Sequence, residues 1–398
     1  MNVSGFCEKR AEKIREYLAD RDMKALAVLD SLNTVYVAGF ELDVAPWERP
    51  VVTLIPLDGE PAILLNELSI NHYRYGLEKN MHWIKDVRYY DEHPRMVGRR
   101  YYTREFPLLL KEVLEERGLW KGRIGVDSSP SKFAGWVGPH LPDVCVVDAG
   151  YILREMRLVK DEYELYWMRK SGEISDWAQD VMKEAIKPGK SHVEIGSEVA
   201  HAISNEAAKK YPSDVSINPW AGFTGTGPEG AMPHGWRTPS GRKVQVGDSL
   251  LNGTGCGLNR YSVENERTWL LGKPSEKQKR FFEVMKEAQQ AGVDMCVAGN
   301  KVSDIDAAAL KIIEDAGFGD YVFHRTGHGM GLGGHEYWDD MAFNHLVMKP
   351  GMMTSVEPAL FVYGLGGFRH SDTVVVGKNK PEVLTTYSKE LEDLIIHI

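Results

Sequence analysis

The sequence has few of the features that mark disulfide-rich, membrane-spanning or nucleic-acid-binding proteins. Its 398 residues include only four cysteines, scattered without a Cys-x-x-Cys pair, which argues against a disulfide framework and a cysteine metal site. No run approaches the roughly 18 apolar residues that a membrane helix requires. The formal net charge of −9 argues against a nucleic-acid partner, which would normally require a basic patch. We therefore expect neither a membrane nor a nucleic acid as partner.

The N-terminal residues lack the apolar segment of a secretory signal, since Cys7, Glu8, Lys9 and Arg10 follow one another there. Because isolated thiols suit a reducing compartment, we expect a cytoplasmic protein. Hydrophobic residues make up 43% of the chain and charged residues 26%, which is the balance of a globular protein. The length is sufficient for two domains.

Helix and strand patterns alternate in the first part of the chain. Apolar residues recur at helical spacing over residues 8–21, and residues 25–29 form a short apolar run typical of a buried strand. Strands predicted at residues 51–56 and 61–65 flank an Asp-Gly turn. These patterns predict a small α/β domain over residues 1–152.

The second part of the chain, residues 153–398, contains two similar pairs of helices. Amphipathic helices are predicted at residues 161–186 and 191–210, and again at residues 277–297 and 302–316, with a turn containing Gly and Lys inside each pair. The similarity indicates an internal repeat, although helix–turn–helix spacing also arises by chance.

Acidic residues and histidines stand out on the strands and glycine-rich loops between these helices. His234 lies in a loop rich in Gly and Pro, where it is either exposed to a cleft or a surface residue without a role. Glu264 and Glu266 are two residues apart, so on a strand they point to one face and Arg267 to the other. They belong either to a solvated edge strand or to a site that supplies a positive charge between them.

A glycine-dense loop carries three histidines, His324, His328 and His335, the first of them on a strand predicted at residues 322–325. This concentration of imidazoles favours a metal or acid–base site, although one or two of them could be structural. Glu357 ends an apolar strand run, where a carboxylate is costly to bury unless it is paired.

Taken in order, the motifs PHG, GD, ERT, GHGMGLGGHE, SVEPAL and GFRHSDTVVV resemble the superfamily of creatinase, prolidase, aminopeptidase P and methionine aminopeptidase. The resemblance covers residues 150–390 and, more loosely, the N-terminal domain. It implies an α/β (α+β) protein with an N-terminal α/β domain of creatinase type. The C-terminal domain, residues 153–398, is expected to be a pita-bread domain with a pseudo-twofold repeat.

The metallopeptidases of this superfamily bind two divalent ions through two Asp, one His and two Glu. At the matching positions this sequence has Gly253, Glu264, His328, Glu357 and Ser371. The glycine and the serine remove two anionic ligands, so the resemblance implies no two-metal site. We therefore expect no cofactor, with one divalent ion (Mn, Zn, Co or Fe) on Glu264, His328 and Glu357 as the alternative.

Creatinase is the metal-independent member of the superfamily, and its site residues are similar to those of this chain. Its catalytic histidine matches His234, and its two guanidinium-binding glutamates match Glu266 and Glu357. Its N-terminal arginine, which grips the substrate carboxylate across a homodimer interface, matches Arg49. The resemblance implies a metal-independent hydrolase of a C–N bond, in which His234 is general base and then general acid.

The expected substrate is a small cationic or zwitterionic molecule similar to creatine or a guanidino acid. Without metal ions, the repulsion between the glutamates and Asp372, if these converge, must be relieved by protonation or by a cationic substrate. The predicted catalytic residues are His234, Glu266, Glu357, His328 and His335, and the predicted substrate-binding residues are Arg49, Glu264, His324 and Arg369.

Three alternatives remain open from the sequence. The spacing of His324, His328 and His335 is similar to that of aminopeptidase P, which favours an Xaa-Pro aminopeptidase or dipeptidase with an altered metal site. A lyase acting on a cationic osmolyte and a non-catalytic binding module are the others. Retention of His234 together with Glu266 and Glu357 argues against the binding module.

Overall fold

A computed structural model describes most of the chain as two compact units, Met1–Arg157 and Leu158–Ile398. The residues described are 3–41, 48–91, 102–235, 239–337 and 340–398. In these residues, no helix combines the length and the apolar character needed to cross a membrane.

The first unit is built around a six-stranded sheet with the strand order β4-β3-β2-β1-β5-β6. Its elements are α1 (Val3–Asp20), β1 (Ala25–Val28), α2 (Ser31–Ala38), β2 (Val52–Pro56), β3 (Ala62–Asn66), α3 (Ile70–Glu78), β4 (Asp86–Tyr90), α4 (Tyr102–Glu116), β5 (Gly122–Val126), α5 (Pro130–Val137), β6 (Val144–Asp148) and α6 (Gly150–Leu158). Strands β1, β2 and β3 are buried at every position, as their continuous apolar runs predict. The predicted α/β domain is thus present.

A buried histidine makes the stability of the first unit sensitive to acid. His82 stacks on Tyr73, with ring centroids 4.6 Å apart, and its Nδ1 lies 3.2 Å from the carbonyl oxygen of Gly39. The packing is close, since a Cβ atom at Gly76 would lie 1.8 Å from Nε2 of His82. Burial lowers the pKa of His82 from 6.5 to about 4.

Acidification from pH 7 to pH 4.5 should therefore destabilise the fold through His82. Below pH 6.5 the unfolded chain binds a proton at this residue, whereas the folded chain does so only near pH 4. The loss attributable to His82 should reach about 2.5 kcal/mol at pH 4.5 and level off below pH 4. Urea denaturation of a His82→Gln variant should show a correspondingly smaller loss over this pH range, and the exposed His140→Gln control should behave as the unmodified protein. Equal losses in all three proteins would contradict this assignment.

The second unit contains two helix pairs, each followed by antiparallel strands. Its elements are α7 (Glu162–Ala185), α8 (His192–Lys210), β7 (Ile217–Thr226), β8 (Ser249–Leu258), β9 (Asn265–Leu271), α9 (Glu276–Asp294), α10 (Val302–Asp315), β10 (Gly329–Gly331), β11 (Gly334–Glu336), β12 (Met353–Val356), β13 (Ala359–Val362), β14 (Gly366–Arg369), β15 (Asp372–Val375), β16 (Glu382–Val383) and β17 (Ile395–Ile396). Capping boxes at Asp161, Ser191 and Ser275 begin three of the helices. The order helix–helix–sheet occurs twice, as the internal repeat predicts.

Three sheets follow these helices. One has the strand order β17-β9-β8-β7, another has the order β11-β10-β12-β15-β16, and β13 pairs with β14. The strand predicted at residues 322–325 is wrong, because these residues follow a short 3₁₀ turn and belong to neither helix nor strand. Phe323 is 65% exposed, so the apolar residues of this segment do not indicate a buried strand.

Candidate active site

Backbone pairing brings three glutamates together in the second unit. Glu264 immediately precedes β9 and Glu266 is its second residue, and the backbone of Glu266 pairs with that of Ser371, which precedes β15. In turn β15 pairs with β12, so that the residue following β12, Glu357, lies nearby. One carboxylate oxygen of each glutamate lies within 4.8 Å of the others. Glu266 and Glu357 are buried, and the β9 strand is buried at every position, which excludes a solvated edge strand.

An imidazole contacts this carboxylate group. Nε2 of His328 lies 3.1 Å from Glu264 Oε2 and 3.4 Å from Glu357 Oε1. Its Nδ1 lies 2.9 Å from the carbonyl oxygen of Gly329 and must donate to it, because a carbonyl oxygen only accepts. Nε2 therefore faces the carboxylates as the potential metal donor. The exposed His335 stacks on His328, with ring centroids 3.5 Å apart.

Glycines allow β10, which follows His328, and β11, which carries His335, to pair tightly. A Cβ atom at Gly329 would lie 1.8 Å from the carbonyl oxygen of Tyr337, and one at Gly331 would lie 2.6 Å from the Glu336 carboxyl group. Side chains at these positions would displace the hairpin that carries His335.

A buried ion pair fixes the same hairpin. Lys160 Nζ lies 2.9 Å from Glu336 Oε2, and each side chain is only 2% exposed. The other carboxylate oxygen of Glu336 accepts a hydrogen bond from the backbone N–H of Leu332 at 2.9 Å. Sequence reasoning missed this pair, because 176 residues separate its members and no local pattern links Lys160 to the motif that ends at Glu336.

A guanidinium group lies between two of the glutamates. Arg369, the last residue of β14, places Nη1 3.2 Å from Glu357 Oε2 and Nη2 2.5 Å from Glu266 Oε1. Its Nη2 is also 3.5 Å from Thr224 Oγ1. The side chain is buried, so these charge contacts are poorly screened by water. The predicted contact of Arg369 with substrate stays a prediction.

If all three glutamates are ionised, their negative charge exceeds the positive charge of Arg369 and a protonated His328. Burial and the neighbouring carboxylates raise the pKa of Glu266 to about 7 and that of Glu357 to about 8, although Arg369 opposes the rise. Burial also acts to raise the pKa of Glu264, but the adjacent His328 lowers it to about 2. Burial would lower the pKa of His328, but Glu264 and Glu357 outweigh it and raise that pKa to about 9. The group is therefore suited to a further cation.

The residues fit a divalent metal ion. Glu264, His328 and His335 offer three ligand atoms within 4.8 Å of one another, and so do Glu264, Glu266 and Glu357. Carboxylate oxygen and imidazole nitrogen are the donors that Mn, Zn, Co and Fe accept.

Neither of the two positions that lack an acid offers a carboxylate ligand. A Cβ atom at Gly253 would lie 2.6 Å from Cζ3 of the Trp220 indole, and one at Gly255 would lie 2.1 Å from its Nε1. The indole thus occupies the space that a side chain at position 253 would need. Ser371 is buried, and its hydroxyl has no hydrogen-bond partner among the described residues. The sequence did not reveal the position of Trp220, because no local pattern links a strand residue to a glycine on the next strand.

The other residues predicted to belong to the site lie at different distances from the three glutamates and His328. His324 Nε2 is 3.9 Å from Glu357 Oε1, and burial together with Arg369 lowers the pKa of His324 to about 3. His234 is exposed in a turn after β7, and among the described residues it belongs to neither candidate metal group. Arg49 lies in the first unit, 2.9 Å from Glu48, and its contribution to a neighbouring site stays a prediction.

Asp372 does not join the three glutamates as a free charge. It is buried, with one carboxylate oxygen 2.8 Å from Arg267 Nη2 and the other 2.5 Å from Lys389 Nζ. Burial alone would raise the pKa of Asp372, but these two cations lower it. The expectation that Asp372 adds to the repulsion in the site is wrong, because its charge is offset on the opposite face of β9.

Two family models match this chain, and together they span most of it. The creatinase/prolidase N-terminal domain matches residues 10–159, and metallopeptidase family M24 matches residues 166–378. The chain is 33% identical over 387 residues to an Xaa-Pro dipeptidase from Lactobacillus delbrueckii subsp. lactis, covering 96% of this chain and 98% of that protein. The predicted superfamily, fold class and hydrolase class are confirmed.

The solved structures that are similar to this chain include a dipeptidase and a prolidase. Dipeptidase PepE from Mycobacterium ulcerans is 26% identical, with a TM-score of 0.81 over 100% of both chains. The prolidase from Thermococcus sibiricus is also 26% identical, with a TM-score of 0.82 over 98% of both chains.

These relatives overturn two expectations drawn from the sequence. The metal-independent hydrolase of a creatine-like substrate is wrong, because the relatives are Xaa-Pro dipeptidases and the matching family is one of metallopeptidases. The expectation of no cofactor is wrong for the same reason, and the carboxylate–imidazole groups in the structure are arranged for a metal ion. Both expectations interpreted the loss of two ligands as the loss of all metal binding.

Proposed function

Because the chain belongs to metallopeptidase family M24, we propose that it is a metal-dependent dipeptidase that cleaves Xaa-Pro dipeptides. The observation that carries the proposal is the group of Glu264, His328 and Glu357, whose contacts of 3.1 and 3.4 Å bring two carboxylates to one imidazole. The near full-length similarity to an Xaa-Pro dipeptidase supports the substrate class.

In this proposal Glu264, His328 and Glu357 hold the ion. When bound, a divalent ion would polarise the peptide carbonyl and activate water as a nucleophile. Glu266 lies beside these ligands, and Arg369 holds it through Oε1. Its other oxygen, Oε2, is buried and has no hydrogen-bond partner among the described residues. We assign Oε2 of Glu266 to accept a proton from the attacking water.

In this proposal the neighbouring histidines position the metal ligands and do not bind the ion themselves. His335 stacks on His328 and restricts its ring, while His324 approaches the Glu357 oxygen that faces His328. The Lys160–Glu336 pair keeps the strand bearing His335 in place. These contacts limit the movement of the ligands, which raises the affinity of such sites for metal.

A substrate panel tests the proposal. The purified protein, loaded with Mn²⁺, Zn²⁺ or Co²⁺, would be given Xaa-Pro dipeptides, Xaa-Ala dipeptides and Xaa-Pro-Yaa tripeptides, with release of the free amino acid measured by chromatography. We expect the Xaa-Pro dipeptides to be cleaved fastest. Cleavage of tripeptides alone, or of no peptide with any ion, would overturn the proposal.

Two further expectations belong to the same proposal. We also propose a homodimer, in which Arg49 of one copy reaches the site of the other, as the resemblance to creatinase implies. A cytoplasmic location is supported by the four free cysteine thiols. Light scattering of the purified protein would test the first expectation, since a monomer would contradict it.

A further inference from the structure

Arg369 is placed where a cation is needed between buried carboxylates. Its guanidinium contacts Glu266 on one side and Glu357 on the other, at 2.5 and 3.2 Å. The arginine lies at the end of β14, where it pairs with Ala359 of β13, and this pairing holds its backbone in register. A buried guanidinium cannot lose its proton, and its charge is therefore permanent.

Charge balance limits how many further cations the site accepts. The three glutamates contribute three negative charges when ionised, and Arg369 offsets one of them. With His328 neutral, as its Nε2 must be to bind an ion, the two remaining charges match those of a single divalent ion. A second divalent ion would leave an uncompensated positive charge in a buried site, which is energetically unfavourable.

Steric closure leads to the same conclusion independently. The Trp220 indole covers Gly253, so no carboxylate can enter the site from β8 at this position. Ser371 offers only a buried hydroxyl where the resemblance expects an acid. A second ion would therefore have to compete with Arg369 for Glu266 and Glu357, whose carboxylates the guanidinium already contacts.

We propose that Arg369 takes the place of a second divalent ion, so that the centre binds one ion per chain, next to a built-in guanidinium. The one-ion centre differs from the two-ion set of the metallopeptidases that this chain resembles. It does not depend on the identity of the peptide substrate, because it concerns only the residues that hold the ion.

Metal titration of the stripped protein tests this directly. Calorimetry with Mn²⁺, together with elemental analysis after gel filtration, should give about one ion per chain. Electron paramagnetic resonance should show isolated Mn²⁺ rather than the coupled pair expected for ions about 3.5–4 Å apart. Binding of two ions per chain, or a coupled spectrum, would overturn the proposal, as would the absence of any tight site.

Variants of Arg369 separate its charge from its packing. Arg369→Gln removes the cation and frees Glu266 and Glu357, so a second and weaker Mn²⁺ equivalent should appear. Arg369→Lys keeps the charge and should remain at about one ion per chain. The exposed Arg169→Gln serves as the control, and circular dichroism verifies that each variant folds. An Arg369→Gln protein that folds and binds one ion with unchanged affinity would overturn the proposal. If this variant does not fold, the stoichiometry and spectrum of the unmodified protein still decide.

Discussion

Replacing Glu357 with glutamine should lower the rate of Xaa-Pro dipeptide hydrolysis by about 10³-fold or more. Glu357 contacts His328 through one oxygen and Arg369 through the other, so it joins the proposed metal ligands to the built-in cation. The amide keeps the shape of the side chain but removes the charge that would hold the ion. Mn²⁺ affinity, measured by calorimetry, should fall together with kcat/KM.

The matched control is Glu382→Gln. Glu382 pairs with Arg169 at the surface, where the side chains are 44% and 42% exposed. Its replacement should change neither hydrolysis nor Mn²⁺ affinity measurably. A Glu357→Gln protein with near-normal activity and affinity would show that this carboxylate is not a ligand.

Replacing Arg267 with methionine should destabilise the second unit by about 3–5 kcal/mol. Arg267 is fully buried, and besides Asp372 its guanidinium donates to the carbonyl oxygens of Glu266, Ser371, Tyr387 and Ser388. Methionine fills a similar volume but leaves these acceptors without their donor, and leaves Asp372 with Lys389 as its remaining cation. The free energy of unfolding, measured in urea at pH 7, reports the change.

Arg169→Met provides the comparison for this experiment. Its ion pair with Glu382 is exposed, and we expect a loss of at most about 1 kcal/mol. Equal and small losses in both variants would contradict the structural role assigned to Arg267.

The fold was largely predictable because its signals are local. Apolar runs marked the buried strands of the first unit, and Asp161, Ser191 and Ser275 each begin a helix with an acid or amide three residues later. The strand prediction at residues 322–325 was wrong, because apolar residues alone do not distinguish a buried strand from an exposed turn.

The site was predictable only in part. The order of motifs indicated Glu264, His328 and Glu357, which the structure places in contact. The ion pairs of Arg369 and the position of Trp220 over Gly253 were not predictable, because they join residues far apart in the chain. Without these contacts, two missing acids suggested a metal-free site. With the contacts of Arg369 and Trp220 known, Gly253 and Ser371 are compatible with a site that still binds one ion.

Hydrolysis by the metal-stripped protein distinguishes a metal-dependent dipeptidase from a metal-free hydrolase. The protein would be treated with a chelator, freed of it by gel filtration, and assayed for proline release from an Xaa-Pro dipeptide before and after Mn²⁺ is added back. We expect no measurable release from the stripped protein and recovery of activity at about one equivalent of Mn²⁺ per chain. Undiminished proline release from the stripped protein would contradict the account.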